Sequence, residues 1–191
     1  MPSCVVYVLG TESSGKSDLV RQLEYLSQGH VRTTPTVCTP TMGQEVTELR
    51  LQPSPRAGEV VLELRELGGS LMNAWESFIE SRKAKDGAAA ETTFALLYVV
   101  DGIAPQQLPL ASVMYRYLTH GTKAACARWP CIIAVQKCAG VNAVTAEEVH
   151  SFFLDDADAA PCLGVLEVDS WNGVGLGDVM KHLESAFGAV P

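Results

Sequence analysis

The sequence predicts a single α/β domain, spanning residues 1–191, with a mostly parallel six-stranded β-sheet that carries helices on both faces. Three observations predict this class. The chain has 191 residues, a length that suits one domain with one substantial core. Its composition, 47% hydrophobic and 19% charged, is ordinary for a globular protein. Short apolar runs alternate with segments of helical periodicity, which is the order that parallel βαβ units produce.

Strands are predicted where short apolar or alternating runs stop at turn-forming residues. These runs span residues 3–9, 44–51, 59–65, 94–100, 131–135 and 165–168. Apolar residues at helical spacing predict helices at residues 17–26, 71–85, 108–126, 146–153 and 176–187. The second and third strands flank a proline-containing turn, so they form a hairpin that adds one antiparallel strand. The polar stretch at residues 27–43 is predicted to be a functional loop because of its length.

The net charge and the chain ends restrict the partners that we expect. The formal net charge is −8 and no basic run occurs, so nucleic acid is not an expected partner. No apolar stretch approaches the roughly 20 residues that cross a bilayer. Pro2 rather than glycine follows the first methionine and the last residues form no prenylation signal, so no intrinsic lipid anchor is expected. We therefore expect a cytoplasmic monomer that reaches membranes only through partners.

Residues 10–17 read G-T-E-S-S-G-K-S and match the pattern G-x-x-x-x-G-K-[ST] at every specified position. An apolar strand precedes this phosphate loop and an amphipathic helix follows it, as the pattern requires. Backbone N–H groups of such a loop point at phosphate oxygens, the lysine adds a positive charge, and the serine hydroxyl can bind Mg²⁺. The sequence therefore predicts a nucleoside di- or triphosphate site with Mg²⁺. The predicted phosphate-binding residues are Gly10, Glu12, Ser13, Ser14, Gly15, Lys16 and Ser17.

Two further segments resemble motifs of a known family. Residues 64–70, L-R-E-L-G-G-S, are similar to the W-D-x-G-G-Q motif that ends the third strand of Arf-like small GTPases. Residues 40–43, P-T-M-G, are similar to the P-T-x-G of the first switch region in that family. With the phosphate loop, the resemblance to Arf-like GTPases of the Ras superfamily covers essentially the whole chain. It implies the small-GTPase fold, GTP or GDP as the bound ligand and Mg²⁺ as the cofactor.

The resemblance also implies roles for single residues. Thr41 would bind Mg²⁺ and hold the γ-phosphate, and Glu66 would reach Mg²⁺ through water. The Gly69 N–H would sense the γ-phosphate, so that the second switch region is ordered only in the triphosphate state. The implied metal-binding set is thus Ser17, Thr41 and Glu66. Thr36, which also follows a proline, remains the alternative to Thr41.

The chain departs from the family at two functional positions. Ser70 stands where the family has the glutamine that orients the attacking water, so we expect intrinsic hydrolysis to be slow. The guanine-reading motif N-K-x-D corresponds to Q-K-C-A, in which Ala139 lacks the carboxylate, so guanine preference could fall by about 10- to 150-fold. Asp169 either replaces that carboxylate at the base edge or closes a turn before an Asn-Gly pair. The implied base-binding residues are Gln136, Lys137, Asp169 and Ser170.

Three functional hypotheses remain open from the sequence. The first is a GTP-binding switch, at most a slow GTPase, which acts in protein or membrane trafficking. Its effectors and regulators would bind through switch regions around residues 31–50 and 66–80, and partners could recruit it to trafficking, ciliary or flagellar sites. The second is a pseudo-GTPase scaffold with weak or relaxed nucleotide binding. The third is an ATP-using P-loop enzyme in which Asp101, at the end of a strand, binds Mg²⁺.

Overall fold

A computed structural model of the chain describes residues 3–30, 39–51, 60–86, 92–154 and 161–187. Its six strands form one sheet in the order β2-β3-β1-β4-β5-β6, in which β2 is antiparallel to β3 and all other neighbours are parallel. The prediction of one antiparallel strand in a mostly parallel six-stranded sheet is confirmed. The strands are β1 (Ser3–Leu9), β2 (Gln44–Leu51), β3 (Val60–Leu67), β4 (Thr92–Asp101), β5 (Cys131–Gln136) and β6 (Cys162–Val168).

Five α-helices within the described residues cover the two faces of this sheet. They are α1 (Lys16–Ser27), α2 (Trp75–Asp86), α3 (Leu108–Thr119), α4 (Ala146–Phe153) and α5 (Leu176–Phe187). Helices α2, α3 and α4 pack in one hydrophobic cluster, whereas α1 and α5 pack in another. The central strand β1 contributes Val5 and Tyr7 to the first cluster and Val6 and Val8 to the second, because successive side chains of a strand point to opposite faces. Burial on both faces explains why β1 is apolar almost throughout.

Several predicted boundaries differ from the structure. Helix α3 ends at Thr119 rather than at residue 126, because the chain is extended at His120 and reverses at Gly121, whose φ is 83°. Strand β6 begins at Cys162, three residues earlier than predicted, because it pairs with the whole of β5. The segment Gly69–Ala74 is a 3₁₀ helix, so α2 begins only at Trp75 rather than at residue 71.

Another difference concerns the end of a strand. Strand β3 runs two residues past its predicted end, to Leu67, because β1 pairs with it as far as Glu66 and β2 as far as Leu67. The predicted hairpin turn at residues 53–58 lies outside the described residues, as do Glu59 and Thr36. Within the described ranges, no helix is long and apolar enough to cross a membrane.

The carboxyl ends of the parallel strands meet at one edge of the sheet. The phosphate loop follows β1, and the segments after β3, β4, β5 and β6 begin at Gly68, Gly102, Lys137 and Asp169. In open α/β sheets this edge is where ligands bind. The sheet order therefore brings to one side of the molecule the described parts of the segments that the sequence marked as functional, residues 10–17, 39–43, 66–70, 136–139 and 169–170.

Candidate functional site

The phosphate loop has a backbone that only glycine allows at two positions. Gly15 has a φ of 90°, and a Cβ atom there would lie 2.7 Å from Gln136 Cγ. A Cβ atom on Gly10 would overlap the carbonyl oxygen of Val99 on β4. Helix α1 begins at Lys16, within the last two residues of this loop, so its N-terminal N–H groups face the concave side. The two glycines of the sequence pattern are thus explained by close packing against β4 and β5.

Lys16 is buried inside the loop and is held by neutral partners. Its Nζ donates hydrogen bonds to the carbonyl oxygens of Gly10 and Thr11, both at 2.9 Å. Burial lowers the pKa of Lys16 from 10.5 to about 8, although the carboxylates of Glu66 and Glu12 act in the opposite direction. A buried ammonium group with mainly carbonyl partners is well placed to bind an anion, because an anion would relieve the desolvation of the charge.

Three oxygen-bearing side chains converge beside Lys16. Ser17 Oγ donates a hydrogen bond to Glu66 Oε1 at 2.6 Å, and Thr41 Oγ1 donates to the same oxygen at 3.0 Å. The two hydroxyl oxygens are 3.3 Å apart. Glu66 reaches this place because its neighbour in the parallel register is Val8, two residues before the phosphate loop. Hydroxyl and carboxylate oxygens are ligands that Mg²⁺ prefers, so these residues fit the predicted ion.

The segments on either side of β2 and β3 pack against the phosphate loop. Gly68 donates its N–H to the Gly43 carbonyl oxygen at 2.9 Å, and a Cβ on Gly68 would overlap the Thr41 carbonyl oxygen. A Cβ on Gly69 would overlap the backbone nitrogen of Glu12. The first and second predicted switch regions therefore touch each other and the phosphate loop at their glycines.

A cavity of about 260 Å³, called here the first cavity, lies between these elements. Ser70 is exposed at its wall, where the family has glutamine. The Ser14 hydroxyl also borders the cavity; it is buried and has no hydrogen-bond partner within the described part of the chain. The predicted phosphate residues that line the first cavity are Glu12, Ser13, Ser14, Gly15, Lys16, Ser17, Thr41 and Gly69. Gly10 lies behind the loop and contributes its carbonyl oxygen to Lys16.

Gln136, at the end of β5, joins the phosphate loop to the segment after β6. Its Nε2 donates to the Gly15 carbonyl oxygen at 3.3 Å and to Ser170 Oγ. Its Oε1 accepts the backbone N–H groups of Lys137 at 3.2 Å and of Ser170 at 3.0 Å. A glutamine at the asparagine position of the family motif thus satisfies its whole amide group within the protein.

Lys137 follows Gln136 and is likewise bound to protein groups. Its Nζ forms an ion pair with Asp101 Oδ2 at 2.6 Å and donates to the Ser13 carbonyl oxygen at 3.1 Å. Asp101 also accepts the Ile103 N–H at 3.1 Å. Asp101 is therefore paired with Lys137 and does not line the first cavity, so the geometry does not place it in the metal role that the ATP hypothesis gave it.

Asp169 closes a turn after β6. Its Oδ1 accepts the N–H groups of Trp171 at 2.9 Å and Asn172 at 3.0 Å, and its Oδ2 accepts the Asn172 side-chain amide at 2.9 Å. Backbone hydrogen bonds in both directions between Asp169 and Val174, each at 3.0 Å, complete the β6–α5 turn (residues 169–174). Asp169 is buried rather than solvated, and its carboxylate has the bonds of a turn-closing residue.

A second cavity, of about 420 Å³, adjoins the first, because Gly15 and Asp18 line both. Of the predicted base-binding residues, Gln136, Lys137 and Asp169 line it, and Ser170 lies behind Gln136. No base-binding role was predicted from the sequence for five further lining residues: Asp18, Ile103, Gly140, Trp171 and Asn172. Trp171 and Asn172 could have been found from their place directly after the predicted base-binding loop.

The fold and the phosphate loop define a P-loop protein with the small-GTPase fold. No protein family and no curated protein matches the sequence. Among solved structures, the chain is similar to the small GTPase Arl6 (BBS3) of Trypanosoma brucei, which was solved with the bound nucleotide analogue GppNp. The two share 18% sequence identity, the match covers 96% of each chain, and the TM-score is 0.68. At this identity the likeness shows the fold, and the sequence prediction of that fold is confirmed.

Proposed function

We propose that this chain is a Mg²⁺-dependent GTP-binding switch of the Arf-like type, with GTP and GDP as its ligands. The observation that carries the proposal is the meeting of Ser17, Thr41 and Glu66 beside the buried Lys16. These three residues come from the phosphate loop, the first switch region and the second switch region. A triphosphate with its ion would bind all three segments at once, and a diphosphate would bind fewer of them. The similar Trypanosoma brucei structure, with its bound GppNp, supports the same assignment.

The switch would act through partner affinity. Segments 39–43 and 68–70 contact each other through Gly68, so a conformational change in one segment would alter the packing of the other. Effectors and regulators would bind around residues 31–50 and 66–80, and the chain would act in protein or membrane trafficking. The run R-E-L-G-G at residues 65–69 resembles the Arf-like protein numbered sixteen, and this resemblance supports placing the chain among the Arf-like proteins. Recruitment to trafficking, ciliary or flagellar sites would depend on those partners.

Intrinsic hydrolysis would be slow. Orientation of the attacking water is a large part of GTPase catalysis. Ser70 lies at the first cavity, but its side chain is two heavy-atom bonds shorter in reach than glutamine and carries no amide. A partner that supplies the missing group would accelerate the reaction. Single-turnover hydrolysis by Ser70→Gln, compared with the unchanged protein, tests this role; an equally slow Ser70→Gln variant would contradict it.

A pseudo-GTPase scaffold is the second candidate. Ser70 and Ala139 favour it, because both positions lack the functional group of the family. The intact phosphate loop and the Ser17–Thr41–Glu66 cluster favour the switch. The ATP-enzyme alternative depended on Asp101, which is ion-paired with Lys137. We therefore rank the switch first.

The deciding experiment measures nucleotide binding. The nucleotide that co-purifies with the protein is identified, and GTP, GDP and ATP are then titrated with and without Mg²⁺. The switch predicts binding that requires Mg²⁺ for the triphosphate and is lost in Lys16→Ala. Lys181→Ala, an exposed lysine on α5, is the matched control and should bind normally. No Lys16-dependent binding would favour the scaffold.

A second experiment tests the coupling of the switch regions. Hydrogen exchange of segments 39–43 and 68–70 should slow more with a GTP analogue than with GDP. Thr41→Ala should remove that difference, whereas Thr47→Ala, a partly exposed threonine on β2, should keep it. Equal protection by both nucleotides in the unchanged protein would contradict a switch even if the nucleotides bind.

A further inference from the structure

The second cavity is placed to receive the base of a nucleotide whose phosphates occupy the first. Gly15 and Asp18 border both cavities, so a ligand that fills one extends into the other. This inference rests on the proposed function, because it requires the phosphates to lie at Lys16 and Ser17. The question is what holds the base, since the carboxylate of the family motif is replaced by the Ala139 methyl group.

The polar groups of the expected base-reading residues are bound to other protein groups. The Gln136 amide makes four hydrogen bonds to Gly15, Lys137 and Ser170. One of them occupies the Ser170 N–H, so this donor is not directed at a base. The Asp169 carboxylate is occupied by the backbone and side chain of the β6–α5 turn. The Gln136 amide and the Ser170 N–H would have to break existing bonds before they could read a base edge, and three of the roughly four lone-pair sites of the Asp169 carboxylate are already used within the turn.

Three other residues offer apolar surface at the second cavity, beside the polar Asp18 and Asn172. Trp171 is 62% exposed and Ile103 is 48% exposed, and both line the cavity together with Ala139. Large aromatic side chains are normally buried, so an exposed indole at a ligand-sized cavity calls for a functional explanation. The β6–α5 turn fixes the position of Trp171, because its N–H is bound to Asp169. The backbone that carries the indole is therefore preorganised beside the cavity that Trp171 lines.

We propose that Trp171 is the residue that holds the nucleotide base, by stacking on it, and that this site accepts purines with little discrimination between guanine and adenine. Every base has a π-face, so stacking supplies affinity without reading hydrogen-bond patterns. Specificity for guanine arises in the family from a carboxylate that is missing here. The expected guanine-to-adenine preference is below about tenfold, since the carboxylate of the family motif is missing at Ala139 and the Asp169 carboxylate is engaged within its own turn.

The test compares ligands with and without a base. GTP, ATP and tripolyphosphate are titrated against the unchanged protein, Trp171→Ala and Trp171→Phe, all with Mg²⁺. Trp171→Ala should weaken GTP and ATP by about 5- to 150-fold, the range for loss of one base stack. It should leave tripolyphosphate binding unchanged, and Trp171→Phe should retain most of the nucleotide affinity. Normal GTP and ATP affinity in Trp171→Ala, or equal weakening of tripolyphosphate, would overturn the proposal.

Base selectivity is tested by two further variants. Ala139→Asp should raise the preference for GTP over ATP by about 10- to 150-fold, because it restores the carboxylate at the family position. Asp169→Asn should leave that preference unchanged, since asparagine can still accept the two backbone N–H bonds of the turn through its amide oxygen and loses only the bond from the Asn172 side chain. A strong guanine preference in the unchanged protein that disappears in Asp169→Asn would show that Asp169 reads the base, and would overturn the stacking proposal.

Fluorescence gives a readout that does not depend on affinity. Trp75 and Trp129 are 1% and 8% exposed, so Trp171 is the solvent-exposed member of the three tryptophans. Nucleotide should protect this fluorescence from acrylamide quenching, tripolyphosphate should not, and Trp171→Phe should show no such protection. If tripolyphosphate and nucleotides bind Lys16→Ala as well as the unchanged protein, the proposed function fails. If binding needs Lys16 but nucleotide leaves Trp171 accessible, only the stacking inference fails.

Discussion

The buried charge of Lys16 should make the stability of the ligand-free protein depend on pH in a defined direction. Burial lowers the pKa of Lys16 from 10.5 to about 8. Between these values the unfolded chain binds more protons at this group than the folded protein, so the contribution of Lys16 to the free energy of unfolding rises with pH. Below pH 8 the buried charge of Lys16 destabilises the folded protein by its full amount. This amount is about 3 kcal/mol, because a change of one pKa unit corresponds to about 1.4 kcal/mol.

Other groups act in the opposite direction, so the effect is measured as a difference. Burial raises the pKa of the Cys131 thiol to about 12 and that of Cys126 well above 9.0, which lowers stability as the pH rises past their unfolded values. Lys16→Met keeps these thiols and removes the buried charge. Relative to Lys16→Met, the free energy of unfolding of the unchanged protein should rise by about 2 kcal/mol between pH 7 and pH 9.5. Over this range the folded protein loses the Lys16 proton, whereas the unfolded chain, whose lysine titrates near pH 10.4, keeps most of it.

Urea denaturation of both proteins at several pH values measures this difference. The two proteins should share the same m-value, so that the midpoints report stability. If the two proteins' free energies of unfolding differ by the same amount at every pH, within about 0.5 kcal/mol, Lys16 is not a desolvated cation.

Binding of tripolyphosphate should also change the protonation of Lys16. At pH 8.5 the protein should take up most of one proton per site when tripolyphosphate binds, because an anion raises the pKa of Lys16. Calorimetry in two buffers of different ionisation enthalpy detects that uptake, and Lys16→Met should abolish it.

Three further predictions concern single substitutions, two at the site and one on α5. Gln136→Leu should lower the free energy of unfolding by about 2–4 kcal/mol in urea, because it leaves the Gly15 carbonyl and the Ser170 N–H without their partner; a loss under about 1 kcal/mol would show that water replaces the amide. Gly69→Ala should bring the GTP and GDP affinities closer together, because a Cβ there overlaps the phosphate loop, and an unchanged affinity ratio would contradict this packing. Gly177→Ala, on α5 with open space around the new methyl group, should raise stability by about 0.5–1 kcal/mol; thermal unfolding that shows a loss would mean that this face of α5 is covered.

Much of the fold could be predicted because its signals are local. The six strands were all found, since each is a short apolar or alternating run, and the helices were found from their spacing. The predicted end of α3 was wrong because the apolar pattern continues beyond the last residue of the helix. Residues near Ala125 and Cys126 are apolar and buried, so they extend the periodicity of α3, although the chain has already turned at Gly121. Periodicity reports burial, and a buried turn gives the same signal as a buried helix.

The candidate site also contains one part that a local sequence signal predicts and another part that it does not. The sequence by itself determined the phosphate loop, because its eight residues are contiguous and the backbone they require is set by two glycines and a following helix. The pairing of Ser17 with Glu66, 49 residues apart, could be expected only through the family resemblance. Only the tertiary structure decided that Asp101 binds Lys137 and that Trp171 borders the second cavity. These two contacts depend on which strands are neighbours in the sheet and on where the chain runs after each strand ends, and neither is encoded in a short stretch of sequence. For Asp169 the local sequence left two alternatives open, and the structure has the one in which the carboxylate is used within its own turn.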